Sequence, residues 1–195
     1  MKDHILKAFE ESIRVKEKFI EEKNIAKVFD VSKAIANAFT EGKKLILFGN
    51  GGSSTDASHI AAEFINRFKR ERPGLPAIAL NTDMAVITSI ANDYDFSEIF
   101  AKQLKALAEE GDIVIAISTS GNSPNILKAM DVARKKKLTT VALTGLKGEK
   151  FASKATFAFV VPSDNTPRIQ ETHITIGHVI CQIVEEILFE IPRKK

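Results

Sequence analysis

Five short apolar runs constrain this chain more than any other feature: "KKLILFG" (43–49), "PAIALN" (76–81), "DIVIAIS" (112–118), "TTVALTG" (139–145) and "TFAFVVP" (156–162). Their apolar residues are consecutive rather than alternating, the pattern of strands covered on both faces. Helix-like segments such as "SEIFAKQLKALAEEG" (97–111) and "PNILKAMDVARKKK" (124–137) separate most of them. Strands alternating with helices give a parallel sheet with helices packed on it, an α/β architecture. A length of 195 residues suits one compact domain. "KRERPGLP" (69–76) is a loop inside that domain, too short to be a linker. The domain therefore covers 1–195, with a helical extension over 1–42 and the α/β core over 43–195.

The extension reads as two amphipathic helices. Ile5, Phe9, Ile13 and Ile20 recur at helical spacing within 3–22, and Val28, Phe29, Ile35 and Phe39 within 26–40, which Gly42 ends. A last long helix runs from Pro167 to Glu190. The first and last helices are too apolar for free surface elements. A net charge of +3 gives no footprint for nucleic acid or an acidic membrane surface, and the basic tail Arg193, Lys194 and Lys195 reads as a solvated terminus. The single cysteine, Cys181, excludes an internal disulfide and sits in an apolar run as a buried, inert thiol. The N-terminus lacks the character of a signal or transit peptide, and no apolar stretch approaches the ~20 residues a bilayer span requires. The expectation is a soluble, cytoplasmic protein.

Ligands of open parallel sheets bind beyond the carboxyl ends of the strands. Two loops there are rich in small polar residues: "GNGGSSTD" (49–56) and "STSGNS" (118–123). In the second, Ser118, Thr119, Ser120 and Ser123 offer hydroxyls, Gly121 allows close backbone approach, and Pro124 suits the first position of a helix whose amides favour an anion. One such loop alone is more simply a helix cap and a turn. Two at the same sheet edge favour a ligand. Neither loop matches a nucleotide-binding fingerprint, so a phosphorylated small molecule is favoured over a nucleotide.

His59 and Glu63, four residues apart, share a helix face behind the first loop. Such a pair on its own is usually a weak surface interaction. The chain has four histidines, however, and two of them, His173 and His178, lie with Gln170 in "RIQETHITIGHVICQIVE". Gln170 and His178 are about two turns plus 80° apart, so they flank one site only loosely. A histidine on so apolar a helix needs a partner, either a metal or a backbone carbonyl, and spacing alone does not choose.

Taken together, "GNGGSSTDASHIAAE", "AND" (91–93), "ISTSGNS" (117–123) and "RIQETHITIGHVICQIVE" resemble the phosphoheptose isomerase family of the sugar-isomerase (SIS) fold, in order and across essentially the whole chain. The resemblance implies a three-layer fold with a five-stranded parallel sheet between helices. It also implies a homotetramer with active sites at subunit boundaries and isomerisation of sedoheptulose 7-phosphate, a phosphorylated seven-carbon sugar. Asn50, Gly51, Gly52, Asn92 and Asp93 then fall on sugar-phosphate-binding positions, Ser118, Thr119, Ser120 and Ser123 on the phosphate loop, and Asp56 in the active-site motif. His59, Glu63, Gln170 and His178 match a zinc site, one Zn2+ per subunit, with Glu63 and Gln170 also touching substrate. Glu63 is expected to be the base and His178 the acid/base partner. "INRFKRERPGLPAIALNTD" (65–83) looks more like another branch of the same fold, a factor that binds the replication initiator DnaA without known isomerase activity. Glu63, His178, Asp56 and the uninterrupted "STSGNS" set this chain on the enzyme side, leaving a non-catalytic phosphosugar-binding regulator or DnaA-associating protein as the alternative.

Overall fold

The computed structural model describes residues 1–189. In chain order the elements are α1 (Lys2–Phe19), α2 (Glu22–Thr40), β1 (Leu45–Gly49), α3 (Gly52–Ile65), β2 (Ala77–Ala79), α4 (Met84–Asp93), α5 (Ile99–Leu107), β3 (Ile113–Ile117), α6 (Pro124–Lys135), β4 (Thr139–Gly145), α7 (Glu149–Ala152), β5 (Phe157–Val161) and α8 (Thr166–Phe189). Short 3₁₀ turns at Phe96–Glu98 and Leu146–Gly148 complete it. All five apolar runs become strands of one parallel sheet in the order β2-β1-β3-β4-β5.

The sheet explains why the runs are continuous. Leu45, Ile46, Leu47 and Phe48 are all fully buried, yet successive side chains enter different cores. Leu45 and Leu47 pack with Ile35, Ile60, Ile176 and Val184 from α2, α3 and α8. Ile46 and Phe48 pack with Phe100, Ile126, Met130 and Phe151 from α5, α6 and α7. Strand order reverses at β1, which pairs with β2 on one side and β3 on the other. The loops after β1 and β3 therefore part at a topological switch point, where open α/β sheets bind ligands.

Two expectations shift. The first helix stops at Phe19, because Ile20 leaves the helical region (φ −75°, ψ 76°), and α2 starts at Glu22. Of the α1 residues, only Val15 and Phe19 are buried, while Ile5, Phe9 and Ile13 are 60%, 68% and 56% exposed. Helical periodicity identified the helix, but the stripe it defines finds no partner within one chain. The last helix follows the expected path from Thr166, while Glu190 and the basic tail lie outside the described residues. Among the described residues no helix is long and apolar enough to cross a membrane.

Candidate active site and metal centre

The two switch-point loops are tied together. The Asn50 and Asn125 side chains exchange hydrogen bonds, each Nδ2 donating to the other's Oδ1 at 2.9 Å. Asn125, at the second position of α6, is buried and also accepts from the Ile126 amide. Between them the chain turns at Gly51, whose φ of +55° with ψ of −126° strains any residue bearing a Cβ.

In the second loop Ser118 Oγ accepts from the Gly121 amide at 3.1 Å and lies 3.4 Å from Ser123 Oγ, and the Thr144 hydroxyl donates to the Ser118 carbonyl. Gly121 has φ +66°, and a Cβ there would strike the Gly148 backbone. Ser123 occupies the N-cap of α6, yet its side chain makes no capping bond to the helix amides. The simpler view of these serines as helix caps is therefore not what the geometry shows. The Ile126 and Leu127 amides are already bonded, to Asn125 Oδ1 and to the Ser123 carbonyl, so it is chiefly the hydroxyls that this loop offers an anion.

Helices α3 and α8 run side by side in the same direction. A Cβ on Gly52 would collide with the Gln170 amide, and one on Gly177 would collide with Ile60. This close approach brings His59 and His178 together although 119 residues separate them: their Nε2 atoms are 3.4 Å apart and the ring centroids 4.9 Å. Glu63 Oε1 lies 3.1 Å from His59 Nε2. One donor atom from each of His59, Glu63 and His178 falls within 4.8 Å of the others. Burial lowers the His178 pKa, the neighbouring His59 lowers it further, and Glu63 opposes them. A neutral imidazole keeps the lone pair a metal needs.

The donor set fits zinc. Bonds of ~2.0–2.2 Å in tetrahedral array hold neighbouring donors roughly 3.3–3.6 Å apart. The Glu63–His59 and His59–His178 contacts, 3.1 and 3.4 Å, fall close to that spacing. Gln170 lies at the Gly52 end of the helix pair, and no hydrogen bond joins it to the three.

Comparison with known proteins decides the family. Residues 8–145 match the SIS domain family. A phosphoheptose isomerase of Thermodesulfovibrio yellowstonii is 66% identical over 195 residues, covering 100% of this chain and 96% of that protein. The chain belongs to the phosphoheptose isomerase family. One from Aquifex aeolicus is 49% identical over 190 residues, covering 97% and 99% of the two chains. The solved phosphoheptose isomerase of Neisseria gonorrhoeae superposes with a TM-score of 0.88 at 35% identity, covering 95% of this chain and 98% of that one.

Other features of this phosphoheptose isomerase family member separate more sharply than its sequence does. His173 is the core histidine of the pair on α8. It is fully buried, its Nε2 is 3.2 Å from the Thr144 carbonyl, and burial pushes its pKa down to about 4. Cys181 is buried, and burial drives its thiol pKa upward, so it is inert. Asp56 is half-buried on α3 with Oδ2 unpartnered, and burial, partly offset by His59, pushes its carboxyl up to about 6. Asn92 and Asp93 are exposed at the end of α4 and bonded to each other at 2.9 Å. No bond among the described residues ties them to the loops or to the histidines. The sequence reading missed Asn125, and also Asn81, whose Nδ2 donates to the Ser54 carbonyl and the Ser58 hydroxyl and so fastens the β2 loop to α3. A lone asparagine, whether at a helix start like Asn125 or in a loop like Asn81, carries no periodic signal, so neither was visible beforehand.

Proposed function

We propose that this chain is an aldose–ketose isomerase interconverting sedoheptulose 7-phosphate and D-glycero-D-manno-heptose 7-phosphate, the first step of heptose synthesis for surface glycans. The observation that carries this reading is the convergence of His59, Glu63 and His178 beside two anion-suited loops. The Glu63 carboxylate removes a proton from C1 while His178 supplies one to the C2 carbonyl oxygen, giving the enediol. Return of a proton to C2 and loss of one from the C1 hydroxyl leave the aldose. Ser118, Thr119, Ser120 and Ser123 hold the phosphate, and Asn50, Gly51, Gly52, Asp56, Asn92, Asp93 and Gln170 orient the sugar. One zinc ion per subunit, held by His59, Glu63, Gln170 and His178, would act as a Lewis acid on the oxygens where charge develops. Only Oε1 of Glu63 faces His59, which leaves its second oxygen for the proton.

His59 and Glu63 lie at the surface of the single chain, with side chains 49% and 24% exposed. The exposed α1 stripe adds an apolar face. Both suit a homotetramer whose active sites close at subunit boundaries, built from one domain over 1–195 and working in the cytoplasm without nucleic acid or membrane. Incubation with sedoheptulose 7-phosphate and zinc in D2O, followed by NMR, tests the activity: deuterium enters the sugar as an aldose signal grows. Glu63→Gln and His178→Ala should each abolish both signals in folded protein. Phosphosugar binding without exchange in wild type would return the chain to the regulator or DnaA-associated reading.

A further inference from the structure

Beyond the reacting groups, all three nitrogens of the Arg72 guanidinium donate to one junction. Nη2 donates to the Glu63 carbonyl at 2.8 Å, and Nη1 to the carbonyls of Phe64, Asn66 and Pro73 at 2.7, 3.1 and 3.1 Å. Nε donates to Glu185 Oε1 at 3.0 Å. The Glu63 and Phe64 carbonyls are among the last of α3, which lack helical partners. Glu185, on α8, also accepts from the Phe68 and Lys69 amides at 3.2 and 3.0 Å. Burial disfavours its charge, but these amides and Arg72 outweigh that and hold the carboxyl below its ordinary range. The side chains are only 2% and 3% exposed, so this is a buried charge pair with its hydrogen-bonding capacity met.

Its position gives it a role. Glu185 stands seven residues, two turns, beyond His178 on the same helix. Phe68, whose amide it holds, places its ring 5.7 Å from the His178 ring. Arg72 therefore grips the backbone of Glu63 from one helix and is fastened to the helix of His178 on the other. Near the site α3 and α8 also meet through the close packing of Gly52 on Gln170 and of Gly177 on Ile60, and through the His59–His178 contact at 3.4 Å, which belongs to the site whose geometry is to be set.

We propose that Arg72 and Glu185 are a positioning pair that sets the α3–α8 register and with it the separation of Glu63, His59 and His178. The proposal rests on the reading of those three as reacting and ligating groups. Arg72→Lys keeps the charge but loses the fork, and Glu185→Gln keeps the shape but loses the charge. Asp112→Asn is the control. Asp112 is equally buried and bonded to Lys44 and to the Lys44 and Glu109 amides, but it lies just before the central strand β3 and these bonds join it to neither α3 nor α8. Two measurements are made on folded full-length protein: side-chain nitrogen NMR of the metal-free histidines, and affinity for Co2+.

In the Arg72 and Glu185 variants the His59 and His178 signals should shift, and Co2+ affinity should fall about 10–100-fold, as for groups that orient ligands. Asp112→Asn should change neither. Unmoved histidine signals with Co2+ affinity near wild type, or equal changes in Asp112→Asn, overturn the positioning role. Should wild type take no Co2+ at all, the metal reading fails by itself and the histidine signals decide the pair's role. A variant that does not fold is replaced by its milder partner, Glu185→Gln.

Discussion

Asn50 and Asn125 present each other with one donor and one acceptor, and both bonds are 2.9 Å. The pairing crosses the switch point, so the loops after β1 and β3, the proposed sugar and phosphate loops, hold each other in place. Removing one amide leaves the other half-satisfied, a cost of about 1–3 kcal/mol where the group is buried. Asn125→Ala should therefore raise KM for the phosphosugar by roughly 10-fold with a smaller effect on kcat, since it loosens binding without touching the proton-transfer groups. Asn125→Asp should be worse, because a carboxylate cannot donate to Asn50 Oδ1. Steady-state kinetics beside a melting curve checks this, and an unchanged KM in either variant would deny the bridge any part in binding.

His173 should reveal itself through acid lability. Its pKa falls to about 4 in the folded chain because burial disfavours the imidazolium. Unfolded, it titrates near its ordinary 6.5, so between those values the unfolded state binds the extra proton and stability drops as pH falls. The full difference is about 3 kcal/mol, or ~6–12 °C in Tm for a domain of this size. His173→Gln, able to keep a bond to the Thr144 carbonyl, should lose less stability than wild type on going from pH 7 to pH 4. Parallel melting of the two proteins across that range decides it. Equal losses would mean that His173 is not held neutral.

Which parts of this were legible in advance follows from what a sequence encodes locally. Continuous apolar runs such as Leu45–Phe48 signal strands buried on both faces; all five form strands of the sheet, but the edge strands β2 and β5 are only partly buried. His59 and Glu63 share a helix face by spacing alone. The meeting of His59 with His178 is not local, because it depends on α3 and α8 packing against each other at Gly52 and Gly177. The resemblance to a family supplied it, and spacing could not. His173 and His178 looked alike in sequence, and only the tertiary contact with the Thr144 carbonyl assigns one to the core. Asn125, Asn81 and the Arg72–Glu185 pair act through single long-range polar contacts, to which periodicity is blind.

The apolar stripe of α1 should act between subunits. Ile5, Phe9 and Ile13 are all more than half exposed, and each would contribute roughly 1.5–3 kcal/mol if fully covered. Monomeric proteins rarely leave so many large apolar groups together. A Phe9→Glu, Ile13→Glu double variant should stay helical yet shift from tetramer to smaller species in light scattering at micromolar concentration. On the proposed assembly, in which subunit boundaries complete the active sites, its isomerase activity should fall with the tetramer. An intact tetramer in the variant would move the interface elsewhere.

Asp56 should show a conflict between function and stability. Its Oδ2 is buried without a partner and its carboxyl is pushed up to about 6, chiefly by burial and against the pull of His59. For an acid with a raised pKa, the folded state holds a proton between about 3.8 and 6 that the unfolded state has lost. Stability therefore decreases as pH rises through that window, and the penalty is complete above it, the opposite sign to His173. The undiscounted shift is worth about 3 kcal/mol, but the side chain is only half buried, so on the order of 1 kcal/mol, or ~2–4 °C, is the reasonable scale. In metal-free protein at pH 8, Asp56→Asn should melt above wild type by that amount, and the gain should vanish near pH 4, where the aspartate is itself neutral. Turnover should drop at the same time, because the proposed mechanism has Asp56 orient the sugar. A variant whose stability relative to wild type is the same at pH 8 as at pH 4 would show that Asp56 is solvated or paired in solution.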